Sequence, residues 1–235
     1  MTRPLIIAID GPSGAGKSTL GRLIARELNL LYIDTGAMYR AAALAVMESG
    51  VRLSDREAIA RVVDGAQINL AGDPDSLQVM LDGRDISDEI RTEEVSHAAS
   101  VISVVPEVRR ALVRRQRELG SRGSVVLDGR DIGTVVFPDA DIKFFLTAAP
   151  EERATRRYEE DRLRERDVTF EETLADINTR DQRDSTREDS PLVIAEDAIV
   201  IDSTELSIRD VFERMMEVIR ERQSETAPAQ RIEDG

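Results

Sequence analysis

Residues 5–20 read Leu-Ile-Ile-Ala-Ile-Asp-Gly-Pro-Ser-Gly-Ala-Gly-Lys-Ser-Thr-Leu, which sets an apolar run directly against the pattern Gly-x-x-x-x-Gly-Lys-Ser. Between a strand and a helix this pattern is a P-loop, because its glycines let backbone N–H groups curl around phosphate oxygens and the next helix adds its positive N-terminus. The apolar residues that follow recur at helical spacing, at Leu20, Leu23, Ile24 and Leu28. A nucleotide-binding loop therefore opens the domain.

The motif predicts which of its residues contact a nucleoside triphosphate. Lys17 would reach the β- and γ-phosphates, and the Ser18 hydroxyl would ligate the Mg²⁺ that accompanies ATP. We expect the Lys17 amine to be exposed to solvent before nucleotide binds, and no metal site other than the one that ATP brings. The predicted ATP-binding residues of the loop are Gly11, Pro12, Ser13, Gly14, Ala15, Gly16, Lys17, Ser18 and Thr19.

The composition narrows the possible partners. A net charge of −14 over 235 residues argues against a general nucleic-acid-binding protein, which needs clustered Lys and Arg. The chain has no cysteine, which excludes disulfides and thiolate metal sites. No apolar run approaches the roughly 20 residues that a membrane helix needs. Because the first core strand starts within a few residues of Met1, we expect no signal peptide and a cytoplasmic location.

Short apolar runs alternate with helical stretches along the chain, which is typical of a parallel sheet with helices on both faces. Capping boxes predict helix starts at Ser54 and Thr169, and first-turn prolines predict starts at Pro106 and Pro150. We therefore expect an α/β, three-layer P-loop fold with a five-stranded parallel sheet. Its core strands are predicted at residues 5–9, 30–33, 124–127, 142–146 and 198–201.

Residues 66–90 interrupt this alternation. Two alternating segments, 67–71 and 77–81, flank the turn sequence Gly-Asp-Pro-Asp and predict an antiparallel hairpin. We interpret it as part of an insertion over about residues 62–105 in a single domain that spans residues 1–235. The polar, aperiodic residues 224–235 predict a flexible tail.

A near-repeat presents two candidate sites. The sequence Asp-Gly-Arg-Asp-Ile occurs at residues 82–86 and again at residues 128–132. The first copy follows an alternating strand, which predicts a turn at the rim of the insertion. The second follows a continuous apolar run and so lies at the carboxyl edge of the central sheet, where ligands of open α/β folds bind. We therefore assign function to the second copy.

The residue after Asp128 indicates the type of reaction. Many P-loop ATPases carry an Asp-Glu pair after this strand, and the second acid orients a water for hydrolysis. Here Gly129 takes that place, and no Asn-Lys-x-Asp segment is present to read guanine. The sequence therefore favours a small-molecule kinase, whose reaction depends on positioning and on charge neutralisation.

Arginine is concentrated between Arg153 and Arg187, where kinases of this fold carry a mobile lid. Closure of a lid excludes water and brings guanidinium groups to the transferring phosphoryl group. A simpler interpretation, solvated helix faces joined by ion pairs, fits most of these arginines because acids outnumber them in the same stretch. We expect a helical lid over about residues 153–187.

Five motifs in this order resemble those of the bacterial cytidylate (CMP) kinases. They are Gly-Pro-Ser-Gly-Ala-Gly-Lys-Ser at 11–18, Asp-Thr-Gly-Ala-Met-Tyr-Arg at 34–40, Ile-Arg-Thr-Glu-Glu-Val at 90–95, Leu-Asp-Gly-Arg-Asp-Ile-Gly-Thr-Val-Val-Phe-Pro at 127–138 and Arg-Asp-Gln-Arg-Asp at 180–184. The likeness runs from about residue 5 to 220. It implies a monomeric, Mg²⁺- and ATP-dependent kinase of CMP and dCMP in pyrimidine nucleotide metabolism, with the hairpin region as its substrate-binding insertion.

The resemblance also implies the roles of individual residues. Those that would hold the monophosphate are Thr35, Arg40, Arg130 and Arg187. Those that would face the cytosine edge are Ser100, Arg109 and Asp131, and those for the sugar hydroxyls are Arg180 and Asp184. The catalytic set would be Lys17, Arg130, Arg187 and Asp34, and Arg157 would contact ATP. Thr35 departs from the serine of many members, but either hydroxyl can donate to phosphate.

Several alternatives stay open. Asp34 either contacts Mg²⁺ through water or caps the next helix. Ser100 could lie on a helix face of small residues, and Arg109 could be one of several solvated arginines. The nearest rival functions are a P-loop kinase of UMP, AMP or dephospho-coenzyme A, and a regulatory module that binds ATP and transfers no phosphate.

Overall fold

The structure, a computed structural model, describes residues 4–121, 123–164 and 166–226. Its strands are β1 (Ile6–Asp10), β2 (Leu31–Asp34), β3 (Ile68–Ala71), β4 (Gln78–Leu81), β5 (Arg84–Asp85), β6 (Val125–Gly129), β7 (Ile142–Thr147) and β8 (Ile199–Asp202). Its helices are α1 (Lys17–Leu28), α2 (Thr35–Glu48), α3 (Arg56–Gly65), α4 (Glu93–Ile102), α5 (Pro106–Gly120), α6 (Pro150–Leu163), α7 (Phe170–Thr186) and α8 (Ile208–Thr226).

The central sheet has five parallel strands in the order β2-β6-β1-β7-β8. Successive side chains of a strand point to opposite faces, so the sheet packs against two cores. In β1, Ile7 and Ile9 join the core formed with α1 and α8, whereas Ala8 joins the core formed with α2, α3 and α5. The predicted three-layer α/β fold is confirmed, with each predicted core strand within two residues of its observed bounds.

The register of the sheet gathers the functional segments at one edge. Asp10 of β1 lies beside Gly129 of β6, and Asp34 of β2 lies beside Asp128. Because the strands are parallel, their carboxyl ends all open on the same side, and the loops that follow them share that edge. The P-loop and the second copy of the near-repeat are therefore neighbours.

The predicted hairpin is confirmed, and it belongs to a separate three-stranded sheet. β3 and β4 pair antiparallel with Ile68 opposite Leu81, and β5 adds a short third strand. Asp82 and Gly83 form the turn between β4 and β5 with φ of 50° and 83°, a geometry typical of a two-residue type I′ turn. The first copy of the near-repeat therefore makes a rim turn, as its context predicts.

Three of the four predicted helix starts are confirmed, and the fourth has a different cap residue. Thr169 and Glu172 form a full capping box at α7, and Pro106 and Pro150 each occupy the first turn of a helix. Helix α3, however, is capped by Asp55, whose carboxylate accepts from the Ala58 N–H at 3.0 Å. The capping box predicted at Ser54 is absent because the neighbouring carboxylate takes the cap position.

The second copy of the near-repeat leads into a π-helix, Ile132–Val136, which the sequence did not predict. At the other end of the chain, α8 continues through Thr226, so the first residues of the predicted tail are helical. The rest of that tail, residues 227–235, lies outside the described residues. Within the part of the chain that the structure describes, no helix is both long and apolar enough to cross a membrane.

Candidate active site

The P-loop curls around a cleft of about 410 Å³ at the carboxyl edge of the sheet. Its glycines are required by backbone geometry. Gly11 has φ of 144°, and a Cβ there would lie 2.0 Å from the Leu146 carbonyl oxygen. Gly16 has φ of 89° and stands at the N-terminus of α1. Only glycine adopts these conformations readily, so the loop holds its N–H groups in one arrangement.

Lys17 is buried, with 6% of its surface exposed. Its Nζ donates to the Pro12 carbonyl oxygen at 2.6 Å, so the expectation of a solvent-exposed amine is wrong. The ammonium turns back into its own loop, where it finds an acceptor. Burial lowers the pKa of Lys17 to about 7, and the nearby positive charge of Arg130 acts in the same direction.

Asp128 lines the P-loop cleft, and the sequence reasoning gave it no individual role. It is buried at the end of β6, where it accepts from Ser18 Oγ at 2.8 Å and from Tyr32 OH at 2.7 Å. Burial raises the pKa of Asp128, and the charge of Asp34 adds to that rise. Its position directly after a continuous apolar strand was the signal that could have found it.

Asp34 and Thr35 fix the start of α2. The Asp34 carboxylate accepts from the Ala37 N–H at 2.7 Å and lies 3.5 Å from Arg40 Nη2. It therefore caps the helix, which was one of the two alternatives left open. Thr35 Oγ1 donates to the Asp128 carbonyl oxygen at 2.6 Å, so β2 and β6 are joined at the same edge.

A second, smaller cleft of about 120 Å³ adjoins the first, between α2, α4, α5 and α7. Every residue that the resemblance implied for the substrate lines it. These residues are Thr35, Arg40, Ser100, Arg109, Arg130, Asp131, Arg180, Asp184 and Arg187. They come from five separate segments of the chain, so the fold, and no single stretch of sequence, brings them together.

The arginines of the second cleft are paired with carboxylates. Arg130 Nε donates to Asp184 Oδ2 at 2.7 Å, and Arg187 lies 3.7 Å from Asp184 and 3.8 Å from Asp131. Burial opposes the charge of Asp184, but Arg130 and Arg187 outweigh it and hold the pKa of this carboxyl below its usual value. The cleft is therefore a network of ion pairs in which arginines outnumber carboxylates, and Arg187 Nη2 has no hydrogen-bond partner among the described residues.

One end of the second cleft is built around Arg109, which is 2% exposed. Its guanidinium donates to Asp131 and to the Ser103 carbonyl oxygen, and its central carbon lies 5.8 Å from the centre of the Tyr39 ring. The Tyr39 hydroxyl is buried, and among the described residues it has no hydrogen-bond partner. Tyr39 lies in the quoted motif at 34–40, but the sequence reasoning gave it no role.

The other polar residues of this cleft are held by neighbours on α4 and α7. Ser100 Oγ accepts from Arg183, and Arg180 forms an ion pair of 2.8 Å with Asp176. Ser100 is therefore tied to α7 and does not only lie on a small-residue face. Arg109 is likewise buried and paired, so it is not one of the solvated arginines.

The two clefts are joined. The residues that line both are Gly36, Arg40, Ser96 and Arg130. Two of these carry guanidinium groups, so positive charge stands at the junction. A phosphate in the P-loop cleft and a phosphate in the second cleft would meet there.

Most arginines of the segment predicted as a lid make local ion pairs. Arg156 pairs with Glu152, and Arg157 lies 3.1 Å from Asp161 while lining the P-loop cleft. This agrees with the simpler interpretation of ion-paired helix faces.

Arg153 is different from its neighbours because it is buried. It donates to the Ser13 carbonyl oxygen at 3.0 Å and pairs with Asp181 of α7 at 2.6 Å. It therefore ties the P-loop to both helices of the segment.

Few side chains of the site could ligate a metal ion. In the described residues no group of three or more His, Cys, Asp or Glu side chains is placed to hold a metal. The Ser18 hydroxyl, held by Asp128, lies at the start of α1 beside the P-loop. An alcohol oxygen beside a carboxylate is the hard-oxygen chemistry that suits Mg²⁺.

The fold and the two joined clefts define a P-loop phosphotransferase of the small-molecule kinase class. The family model "Cytidylate kinase" matches residues 7–221, and the chain belongs to this family. It is 49% identical over 218 residues to the cytidylate kinase of Geobacter sp. (strain M21), which covers 93% of this chain and 94% of that relative.

A second relative agrees with this assignment, and one solved structure agrees with the fold. The chain is 52% identical over 214 residues to the cytidylate kinase of Caldanaerobacter subterraneus subsp. tengcongensis, with 91% of this chain and 94% of the relative covered. An uncharacterized protein from Eubacterium ventriosum ATCC 27560 has a solved structure with a TM-score of 0.51 at 13% identity. That match covers 93% of this chain and 99% of the other, and it bears on the fold alone.

Proposed function

We propose that this chain transfers the γ-phosphate of ATP to CMP and dCMP, giving ADP and CDP or dCDP. One observation carries the proposal: Arg40 and Arg130 line both the P-loop cleft and the charged second cleft. Two phosphate-binding spaces with shared guanidinium groups suit transfer between two nucleotides. Family membership directs the choice of acceptor to CMP.

ATP binds with its phosphates on the P-loop. Residues 11–19, apart from Pro12, supply backbone N–H groups, and the Lys17 ammonium leaves the Pro12 carbonyl to hold the β- and γ-phosphates. Arg157, which lines this cleft, contacts ATP as the lid closes. Ser18, oriented by Asp128, would hold Mg²⁺, which supplies charge neutralisation on the phosphates when bound.

CMP binds in the second cleft. Thr35, Arg40, Arg130 and Arg187 hold its phosphate, and Arg180 with Asp184 bind the ribose hydroxyls. The support is their common lining of one cleft. Asp34 keeps Arg40 in place through an ion pair of 3.5 Å.

The base is held at the end of the cleft where Arg109, Asp131 and Ser100 lie. Cytosine carries an exocyclic amine beside acceptors, so it needs a carboxylate acceptor next to a guanidinium or hydroxyl donor. Asp131 provides the acceptor, and Arg109 and Ser100 provide donors.

The chemistry needs no general base from the protein. The attacking oxygen belongs to the CMP phosphate, which is already ionised at neutral pH. The chain's contribution is to align this oxygen with the γ-phosphorus and to neutralise the growing charge with Lys17, Arg130 and Arg187. The helical lid over about residues 153–187 and the insertion over about 62–105 exclude water from the reacting groups.

We propose that a single chain acts in the cytoplasm, where its nucleotide substrates are free. Its net charge of −14 supports the absence of a nucleic-acid partner.

A coupled assay of ADP release tests the proposal across CMP, dCMP, UMP, AMP and dephospho-coenzyme A. Turnover with CMP and dCMP well above the other acceptors is expected. Preference for another acceptor would support a different small-molecule kinase. ATP binding without ADP release for any acceptor would instead support a regulatory ATP-binding module.

A further inference from the structure

The π-helix that follows the second copy of the near-repeat has an unusual N-terminus. Asp131 stands at the cap position, where an Asp side chain commonly accepts from the first N–H groups of its own helix. Here the Asp131 side chain makes no such bond. Its carboxylate is directed to Arg109 and Arg187 in the second cleft.

A residue from a different strand caps this helix. Asp10, the last residue of β1, accepts from the Ile132 N–H at 2.8 Å with Oδ1 and from the Gly133 N–H at 2.7 Å with Oδ2. It is 5% exposed. A Cβ at Gly133 would lie 3.4 Å from Asp10 Oδ2, so the backbone approaches this carboxylate closely.

We propose that Asp10 is a positioning residue for cytosine recognition, because its carboxylate caps the π-helix in place of Asp131 and leaves Asp131 free to face the base. The proposal rests on the proposed function, in which Asp131 accepts from the cytosine amine. Asp10 itself lines neither the P-loop cleft nor the second cleft. It acts on specificity through the backbone that it holds, and its negative charge also favours the charged form of Lys17.

The physical reason is that, without Asp10, the N–H groups of the π-helix would compete with the cytosine amine for the Asp131 carboxylate. Buried N–H groups without an acceptor are costly, so the N–H groups of Ile132 and Gly133 need a partner. If Asp10 is removed, Asp131 is adjacent in sequence and already at the cap position. Its side chain then turns to its own helix and away from Arg109, and the acceptor for the cytosine amine is lost.

The charge state of Asp10 fits this role. Burial raises the pKa of Asp10 to about 6, although the two N–H groups partly offset that rise. At neutral pH the side chain is a carboxylate, which only accepts hydrogen bonds. Asparagine has nearly the same shape. Its amide oxygen can accept from one of the two N–H groups, but its NH₂ group faces the other N–H group and cannot accept from it. The Asp10→Asn variant therefore weakens the cap with little change of volume.

The test measures kcat/KM for CMP and for UMP, the KM for ATP, and CMP affinity by calorimetry in Asp10→Asn. The CMP-over-UMP ratio should fall by about tenfold, the effect of losing one hydrogen bond to a polar substrate group. The KM for ATP is measured with each acceptor and should shift by the same factor with CMP and with UMP, because the loss of the Asp10 charge acts on Lys17 whichever base is bound. Asp10→Ala, which removes both acceptors, should lower the ratio further.

Asp141→Asn is the matched control. The Asp141 carboxylate accepts from the Ile6 N–H at 2.8 Å, at the opposite end of the same strand. A general weakening of β1 would affect both variants, whereas a role in recognition changes the CMP-over-UMP ratio only in Asp10→Asn. The double variant Asp10→Asn/Asp131→Asn should have the same CMP-over-UMP ratio as Asp131→Asn alone. Both substitutions act through the Asp131 carboxylate, so their effects do not add.

The outcomes separate the two proposals. An unchanged CMP-over-UMP ratio in Asp10→Asn and Asp10→Ala, with a parent that prefers CMP, would overturn the positioning role and leave the proposed function intact. Equal loss of activity with both nucleotides would overturn it as well, because that result marks a structural residue. A parent that neither binds nor phosphorylates CMP would refute the proposed function itself.

Discussion

Replacing Arg130 with alanine tests the joined clefts most directly. Arg130 is one of two arginines that line both of them. Its Nε donates to Asp184 at 2.7 Å, and a CMP phosphate at the junction would take up its other N–H groups. Alanine removes these donors and leaves the backbone of β6 intact.

The expected loss follows from the number of bonds. A hydrogen bond to a charged group contributes about 2 kcal/mol, so a guanidinium that holds phosphate through two N–H groups contributes about 4 kcal/mol. At about 1.4 kcal/mol for each factor of ten, kcat/KM for CMP should fall roughly 1,000-fold. The fold should survive, because Asp184 keeps Arg187 at 3.7 Å as a second cationic partner.

The near-repeat provides an internal control. Arg84 occupies the matching position in the first copy, where its side chain is 46% exposed and pairs with Glu48 and Glu89. Arg84→Ala should keep kcat/KM for CMP within about twofold of the parent, as expected for a surface ion pair. Steady-state kinetics at saturating ATP, with thermal unfolding as the check on folding, compare the two variants. Similar losses at both positions would refute the reasoning that separates them.

Three further predictions concern the charged groups of the site. Lys17→Ala should lower kcat by at least about 100-fold with an unchanged circular dichroism spectrum, as expected for a group that stabilises transition-state charge; turnover within about threefold of the parent would contradict this. Because burial lowers the pKa of Lys17 to about 7, the amine loses its charge as the pH rises through that value, so kcat/KM for ATP should decline above about pH 7; a profile that is flat up to the ordinary range of a lysine would contradict it. Asp131→Asn should reduce the CMP-over-UMP ratio, chiefly by lowering activity on CMP, since an amide can also donate to the uracil carbonyl; equal losses on both nucleotides would assign Asp131 to the phosphate.

The elements that the sequence predicted well are those with a strong local signal. The core strands are continuous apolar runs, and the turn sequence at residues 72–75 separates two alternating segments. The cap of α3 was misassigned because Ser54 and Asp55 are both good cap residues, and only the backbone geometry selects Asp55. The π-helix at 132–136 has no local signal, since its first N–H groups are satisfied by Asp10, which is 122 residues away from Ile132.

The sequence predicted most of the residues that form the site, but it did not predict the hydrogen bonds between them. The quoted motifs contained most of the residues implied for the substrate, whereas Ser100, Arg109 and Arg187 lie outside those motifs and were carried over only through the resemblance. The burial of Lys17 was missed because it depends on the Pro12 carbonyl turning towards its amine. Asp128 was given no role although its place after the apolar run of residues 125–127 was noted, and its contacts depend on two hydroxyls from α1 and β2. Such contacts arise only when distant segments meet.

The carboxylates that neutralise the arginines of the second cleft have a consequence for the selection of anions. Asp184 and Asp131 are tethered competitors that occupy Arg130 and Arg187 at a fixed, high local concentration. A small anion such as inorganic phosphate must displace them with its charge alone. A nucleoside monophosphate also brings ribose hydroxyls and a base, which give the displaced carboxylates new partners to accept from. On the proposed function, the cleft would discriminate against free phosphate, because exchange is favourable only for a ligand that binds along the whole length of the cleft.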